Sequence, residues 1–268
     1  MTAAPPKFEA PPLLCVLFSI KFDRLTDASE VALRLKKHAL ENGFPIPDIN
    51  GIDTVEVKSG HDANPEITYR KIHKWDFLTE DKKALLRFDE NSITLLLSEY
   101  SHFSNARKTL EKALHVISET VPNLETTRHG LRYVNHICLG KGESPADWVN
   151  VGLLGLASQP ELDMQRDSSV SETSFQTGMN RRYTVRCSCF GKGLTVPPDL
   201  FPLPLDLRFP ETSDHSFIRI ENNHHHNQRR DFELEDSLRI FSDLRYPVTT
   251  FFESLTTPHS HQTWQRLP

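Results

Sequence analysis

Leu13-Leu14-Cys15-Val16-Leu17-Phe18-Ser19-Ile20-Lys21-Phe22 reads as a β-strand that is apolar on both sides. Leu14, Val16, Phe18, Ile20 and Phe22 alternate along one face, while Leu13, Cys15 and Leu17 make the other largely apolar. Such a strand belongs inside a sheet covered on two sides. Before it, residues 1–12 are rich in Ala and Pro and form a flexible lead without a signal-peptide core. After it, Asp27 caps a helix whose stripe is Ala28, Val31, Ala32, Leu35 and Ala39, ended by Gly43 and Pro45.

Short strands follow near 54–58, 67–77, 84–88 and 93–98, the last two joined by the turn Asp89-Glu90-Asn91-Ser92. A long helix then spans about 102–121, burying Phe103, Ala106, Leu110, Ala113, Leu114 and Ile117. The same order recurs. A strand at 126–139 precedes a helix from Pro145 that carries Trp148, Val151, Leu154 and Leu156. Strands near 171–177, 181–190, 203–209 and 217–221 lead to a closing helix at 233–255, which Pro247 should kink or break. The expected class is α+β, with two similar strand–helix–multistrand–helix halves at 13–123 and 124–268. Their sheets are mainly antiparallel and could join into one.

The formal net charge of −5 gives no general attraction to nucleic acid or anionic lipid. No apolar run is long enough to span a bilayer, so no membrane partner is expected. Cysteines at 15, 138, 187 and 189 spell neither a disulfide framework nor a zinc ribbon, and a reducing cytoplasm is the expected location.

Three segments carry a resemblance: the Pro12-Leu13 entry into the first strand, Gly130-Leu131-Arg132-Tyr133-Val134-Asn135, and Phe252-Glu253-Ser254 with Thr256-Thr257 near the end. Together they resemble the sporadically distributed, uncharacterised prokaryotic protein family of about this length. That resemblance implies the fold and no activity; patchy distribution suggests defence-associated genes. Where an aspartate-bearing strand is expected before the last helix, this chain has Ile220-Glu221-Asn222-Asn223.

His224-His225-His226 draws the eye first. His224 and His226, on alternate strand positions, could share a divalent metal with Glu221, aided by Asp231, His259 or His261. The plainer reading is a solvated polar loop. Cys187 and Cys189 fall on the apolar side of their strand with Tyr183 and Val185, where cysteine acts as a small hydrophobe. Arg182 and Arg186 fall on the other side. With Arg229 and Arg230, and Arg181 and Lys192 nearby, they could form a basic face for RNA or DNA. In 129–137, Arg132 and His136 face one way and Asn135 the other. Arg132 would pair with a carboxylate, and Asn135 would tie down a neighbouring strand.

Phosphate loops, dinucleotide fingerprints, nucleophile elbows and paired CxxC motifs are all missing. The leading expectation is a non-catalytic interaction subunit or adaptor in a bacterial assembly, with a protein partner and no cofactor. The alternatives are a metal-dependent nuclease or phosphoesterase, and an RNA- or DNA-binding module.

Overall fold

The computed structural model describes residues 8–58, 66–158 and 167–265. In chain order the elements are β1 (Leu13–Phe22), α1 (Ala28–Glu41), β2 (Ile46–Lys58), β3 (Glu66–Leu78), β4 (Ala84–Asp89), β5 (Ser92–Leu97), α2 (Phe103–Thr120) and β6 (Glu125–Cys138). They continue with α3 (Pro145–Trp148), β7 (Ser168–Gly178), β8 (Arg181–Phe190), β9 (Gly193–Leu194), β10 (Thr212–Ser213), β11 (Phe217–Asp231), α4 (Leu234–Leu255) and α5 (Pro258–Thr263). Nine strands form one antiparallel sheet in the order β2-β3-β4-β5-β1-β6-β11-β8-β7. The doubly apolar β1 is its middle strand, and through the β1–β6 ladder one sheet runs across both 13–123 and 124–268.

Helices α1, α2 and α4 cover one face. Val16, Phe18, Ile20 and Phe22 of β1 meet the helical stripes there, with Phe18 and Phe241 rings 5.6 Å apart. A coil within residues 196–209 covers part of the other face, setting Val196, Leu203 and Leu205 against Leu17, Leu85, Leu96 and Val134. Leu14 packs on this second side, not with Val16 and Phe18, because the register shifts between Leu13 and Cys15.

Several sequence expectations need correction. Residues 203–209 are not a strand: Pro202, Pro204 and Pro210 deny the segment ladder donors, and its alternating leucines serve as the cover. The helix from Pro145 is a single capped turn followed by two short 3-10 turns, Val151–Leu153 and Gly155–Ser158. α4 continues through Pro247. The last strand does not stop at 221 but runs on to Asp231. Residues 1–7 of the lead lie outside the described residues. Beyond them, the Glu9 and Ala10 amides bond to the Gln265 and Trp264 carbonyls, and Phe8 packs edge-on to Trp264 at 5.6 Å, so this part is tied down.

Candidate functional site

β11 decides the site, because it carries the histidine tract between β6 and β8. With both edges paired, alternate side chains point to opposite faces. Ile218, Ile220, Asn222, His224 and His226 turn toward the helices and are buried. The solvated-loop reading of the tract is therefore overturned. His224 Nδ1 donates to the Leu244 carbonyl at 2.8 Å, which leaves Nε2 of the neutral ring to accept from the Thr177 hydroxyl at 2.8 Å. His129 stands opposite His226 and meets the Ser237 hydroxyl at 3.1 Å. Burial, followed by the charges of His226 and Arg230, pulls His129 down to about 4. Burial also lowers His224 and His226.

Glu221 faces the opposite way, so the structure does not bring it together with His224 and His226. Among the described residues, no group of three His, Cys, Asp or Glu side chains is placed to hold a metal ion. His259 packs edge-on against Trp148 at 5.0 Å, His261 lies 2.7 Å from the Thr256 hydroxyl, and Asp231 is exposed at the far end of β11.

On the second face Glu221 is buried between two arginines. It accepts from Arg132 Nη2 and, at 3.0 Å, from Arg219 Nε. Arg132 also donates to Asp199 at 2.6 Å, and Arg219 Nη1 reaches the Leu194 and Val196 carbonyls at 3.2 Å each. Burial pulls the Arg132 guanidinium down, but its bonds to Asp199 and the charge of Glu221 overcome this and raise it above its ordinary value. The network clamps the covering coil to the sheet. Asn135 Nδ2 donates to the Ile220 carbonyl at 3.4 Å, bridging β6 and β11 on the helical side.

His136 is sandwiched by Phe209 and Phe217 at 4.9 and 4.8 Å, with Nε2 3.3 Å from the Cys138 sulfur. The pair resembles a nucleophile and its base. Its electrostatics run the other way. Burial, then Arg219, pulls His136 down to about 4, while burial raises the Cys138 thiol. His136 Nδ1 has no hydrogen-bond partner among the described residues, so no orienting group completes a triad. Cys187 and Cys189 are buried on the helical side, and their mutual hydrogen bond with burial raises the Cys187 thiol.

The four candidate arginines do not share one face. Arg186 pairs with Glu172, Arg229 with Asp23 and Glu125, and Arg230 with Asp236 on the helical side. Arg181 likewise pairs with Asp243 of α4. Arg182 stands apart, exposed on the second face.

Sequence reasoning did not single out β7. It is an outer strand, exposed along most of its length on both faces, and no strand among the described residues pairs with its outer edge. Beside it lies an aromatic ladder. Phe175 stacks on Tyr183 at 6.2 Å and on Phe251 at 5.8 Å, yet stays 42% exposed. Edge strands are usually blunted by lysine, proline or unpaired charge. Ser168-Ser169-Val170-Ser171-Glu172-Thr173-Ser174-Phe175-Gln176-Thr177-Gly178 has no lysine or proline, and its one charge is spent on Arg186. That missing protection is the signal that would have marked it. A separate cleft of about 630 Å³ opens between Leu139–Glu143, Pro145, Asp167, Phe190 and His215–Phe217.

Fold and site together define an α+β protein with a nine-stranded, helix-covered sheet whose end strand β7 has no strand on its outer edge among the described residues. No protein-family model matches the chain, and no curated protein matches it.

Proposed function

We propose that the chain is a non-catalytic interaction subunit that takes an extended segment of a partner protein as an added strand along β7. The observation that carries this reading is the outer edge of β7, which has no lysine or proline and pairs with no strand among the described residues. Main-chain groups there provide affinity, and the Phe175–Phe251 patch provides a side-chain pocket on the helical side. The rest of the chemistry agrees. His129 and His224 are disfavoured as cations by burial and bonded to the last helix, Glu221 is spent on two arginines, and the Cys138 thiol lacks an activated base. No helix among the described residues is long and apolar enough to cross a membrane. The resemblance to a sporadically distributed prokaryotic family accords with an adaptor in a bacterial assembly and adds no activity.

The test is isolation of the tagged full chain from its host with its stoichiometric partner, followed by photo-cross-linking from position 173. Cross-links to one extended partner segment are expected. The double variant Thr173→Lys, Phe175→Lys should release the partner while the melting temperature changes by only a few degrees. A partner that stays bound to that variant, or substrate turnover by the purified chain alone, sinks the reading.

A further inference from the structure

The face opposite the helices is apolar only where the coil covers it. Beyond Arg132 it turns polar. Arg182, His225, Gly130 and Ser19 stand directly opposite one another on β8, β11, β6 and β1. In the adjoining row Asn227, Arg128 and Lys21 do the same on β11, β6 and β1. Paired positions of this kind lie about 5 Å apart, so these side chains share one small area. Gly130 keeps the sheet surface low in the first row: Ser19 Oγ leans over it, donating to the Gly130 carbonyl at 3.4 Å and sitting 2.8 Å from where a Cβ would be, so no larger residue fits there.

The positive charges of these two rows have no carboxylate partner among the described residues. Arg132, Arg186, Arg229 and Arg230 each pair with a carboxylate. Lys21, Arg128 and Arg182 pair with none among the described residues. Arg128 is half-buried, and burial alone lowers its guanidinium. His225 is lowered to about 4 by burial, then by Arg128, His224 and Arg182, and its buried Nδ1 has no partner among the described residues. A half-buried cation such as Arg128 is costly without a counter-charge, and with the exposed Lys21 and Arg182 beside it, in a chain of net charge −5, this concentration of positive charge calls for an anion. Neither row carries Phe, Tyr or Trp, so no platform for stacking nucleic-acid bases is present.

We propose that the polar surface around Gly130, on the face opposite the helices, is a phosphate-binding site. It takes a compact phosphate-bearing small molecule between Arg128, Arg182 and His225, with the Ser19 hydroxyl on the far side and Lys21 at the rim. Guanidinium forks suit the oxygens of a phosphate, and with glycine at 130 and the short Ser19 beside it no long side chain stands between Arg128 and Arg182. The site lies on the face opposite the Phe175–Phe251 patch and is independent of β7 pairing.

The experiment is a titration of inorganic phosphate into the full chain at constant ionic strength, following histidine ring resonances by NMR. His225, assigned through His225→Gln, should shift saturably while buried His129 does not. Arg182→Gln, at an exposed position that leaves the fold intact, and Arg128→Gln should each weaken binding about ten-fold or more. Arg239→Gln, beside Asp236 on α4, should leave it unchanged. Tighter binding of glycerol phosphate than of inorganic phosphate identifies a phosphomonoester as the ligand, and the reverse order identifies free phosphate. A shift that never saturates, saturable binding indifferent to Arg182→Gln, or binding of single-stranded RNA with phosphate inert would each overturn the site.

Discussion

His224 Nδ1 donates to the main-chain carbonyl of Leu244 over 2.8 Å, fastening α4 directly to the strand beneath it. Pro247 removes the amide that would serve the neighbouring Asp243 carbonyl, so this stretch of helix has fewer internal bonds to rely on. His224→Phe keeps the bulk but removes the donor to Leu244 and the acceptor of the Thr177 hydroxyl. The expected loss is about 1–3 kcal/mol in urea unfolding, with faster amide exchange in α4. Unchanged stability would show that the bond is incidental to docking.

Acid should loosen the same packing. His129 and His136 sit at about 4, burial being the leading cause in both. Their unfolded value lies near 6.5, so between these limits the unfolded chain binds more protons than the folded one. Stability is complete above about pH 6.5 and declines as the pH falls toward about 4, by at most roughly 3 kcal/mol per group. His129→Gln should flatten that decline measurably in denaturant midpoints taken along a pH series. A wild-type midpoint that stays level on acidification through this window would contradict it.

On the other face, Glu221 is the shared anion of Arg132 and Arg219. Glu221→Ala strands two guanidinium groups in a mostly buried setting, and about 3–5 kcal/mol should be lost. Asp199 is 63% exposed, so Asp199→Ala should cost about 1 kcal/mol or less. Chemical denaturation of the two variants distinguishes this arrangement from one in which Glu221 serves a metal. In the latter case the chelator EDTA would reproduce the loss in the wild-type protein.

The sheet's centre was legible because β1 is apolar on both faces, a pattern that only a central strand satisfies. The stripes of α1 and α2 were legible for the same reason: apolar residues recur at helical spacing. The histidine tract was not. Asn222, His224 and His226 continue the inward parity of Ile218 and Ile220, but polar on both sides they lack the contrast that marks a strand. Tyr183 serves the Asn222 Oδ1, and Thr177 and the Leu244 carbonyl serve His224, all partners remote in sequence. One local hint existed, since no Gly or Pro interrupts 217–246. Residues 203–209 failed in the opposite sense. Their leucines alternate as in a strand, while the flanking prolines forbid the ladder. The row around Gly130 could not be read at all, because register across four strands brings it together.

Thiol chemistry separates the buried cysteines from the one that reaches solvent. Cys15 lies at the bulged start of β1, and burial pushes its thiol up to about 12, partly countered by Arg132. Cys187 is raised by its bond to Cys189 and by burial, and both lie under the helices. Cys138 is exposed, yet its thiol is also raised, so it has access without activation. An aromatic disulfide reagent near neutral pH should therefore modify one thiol per native chain, more slowly than a free cysteine, and all four after unfolding. Cys138→Ser should abolish the native reaction. Reaction of Cys138 faster than free cysteine would mean that His136 activates it, and that the Cys138–His136 pair is a working nucleophile after all.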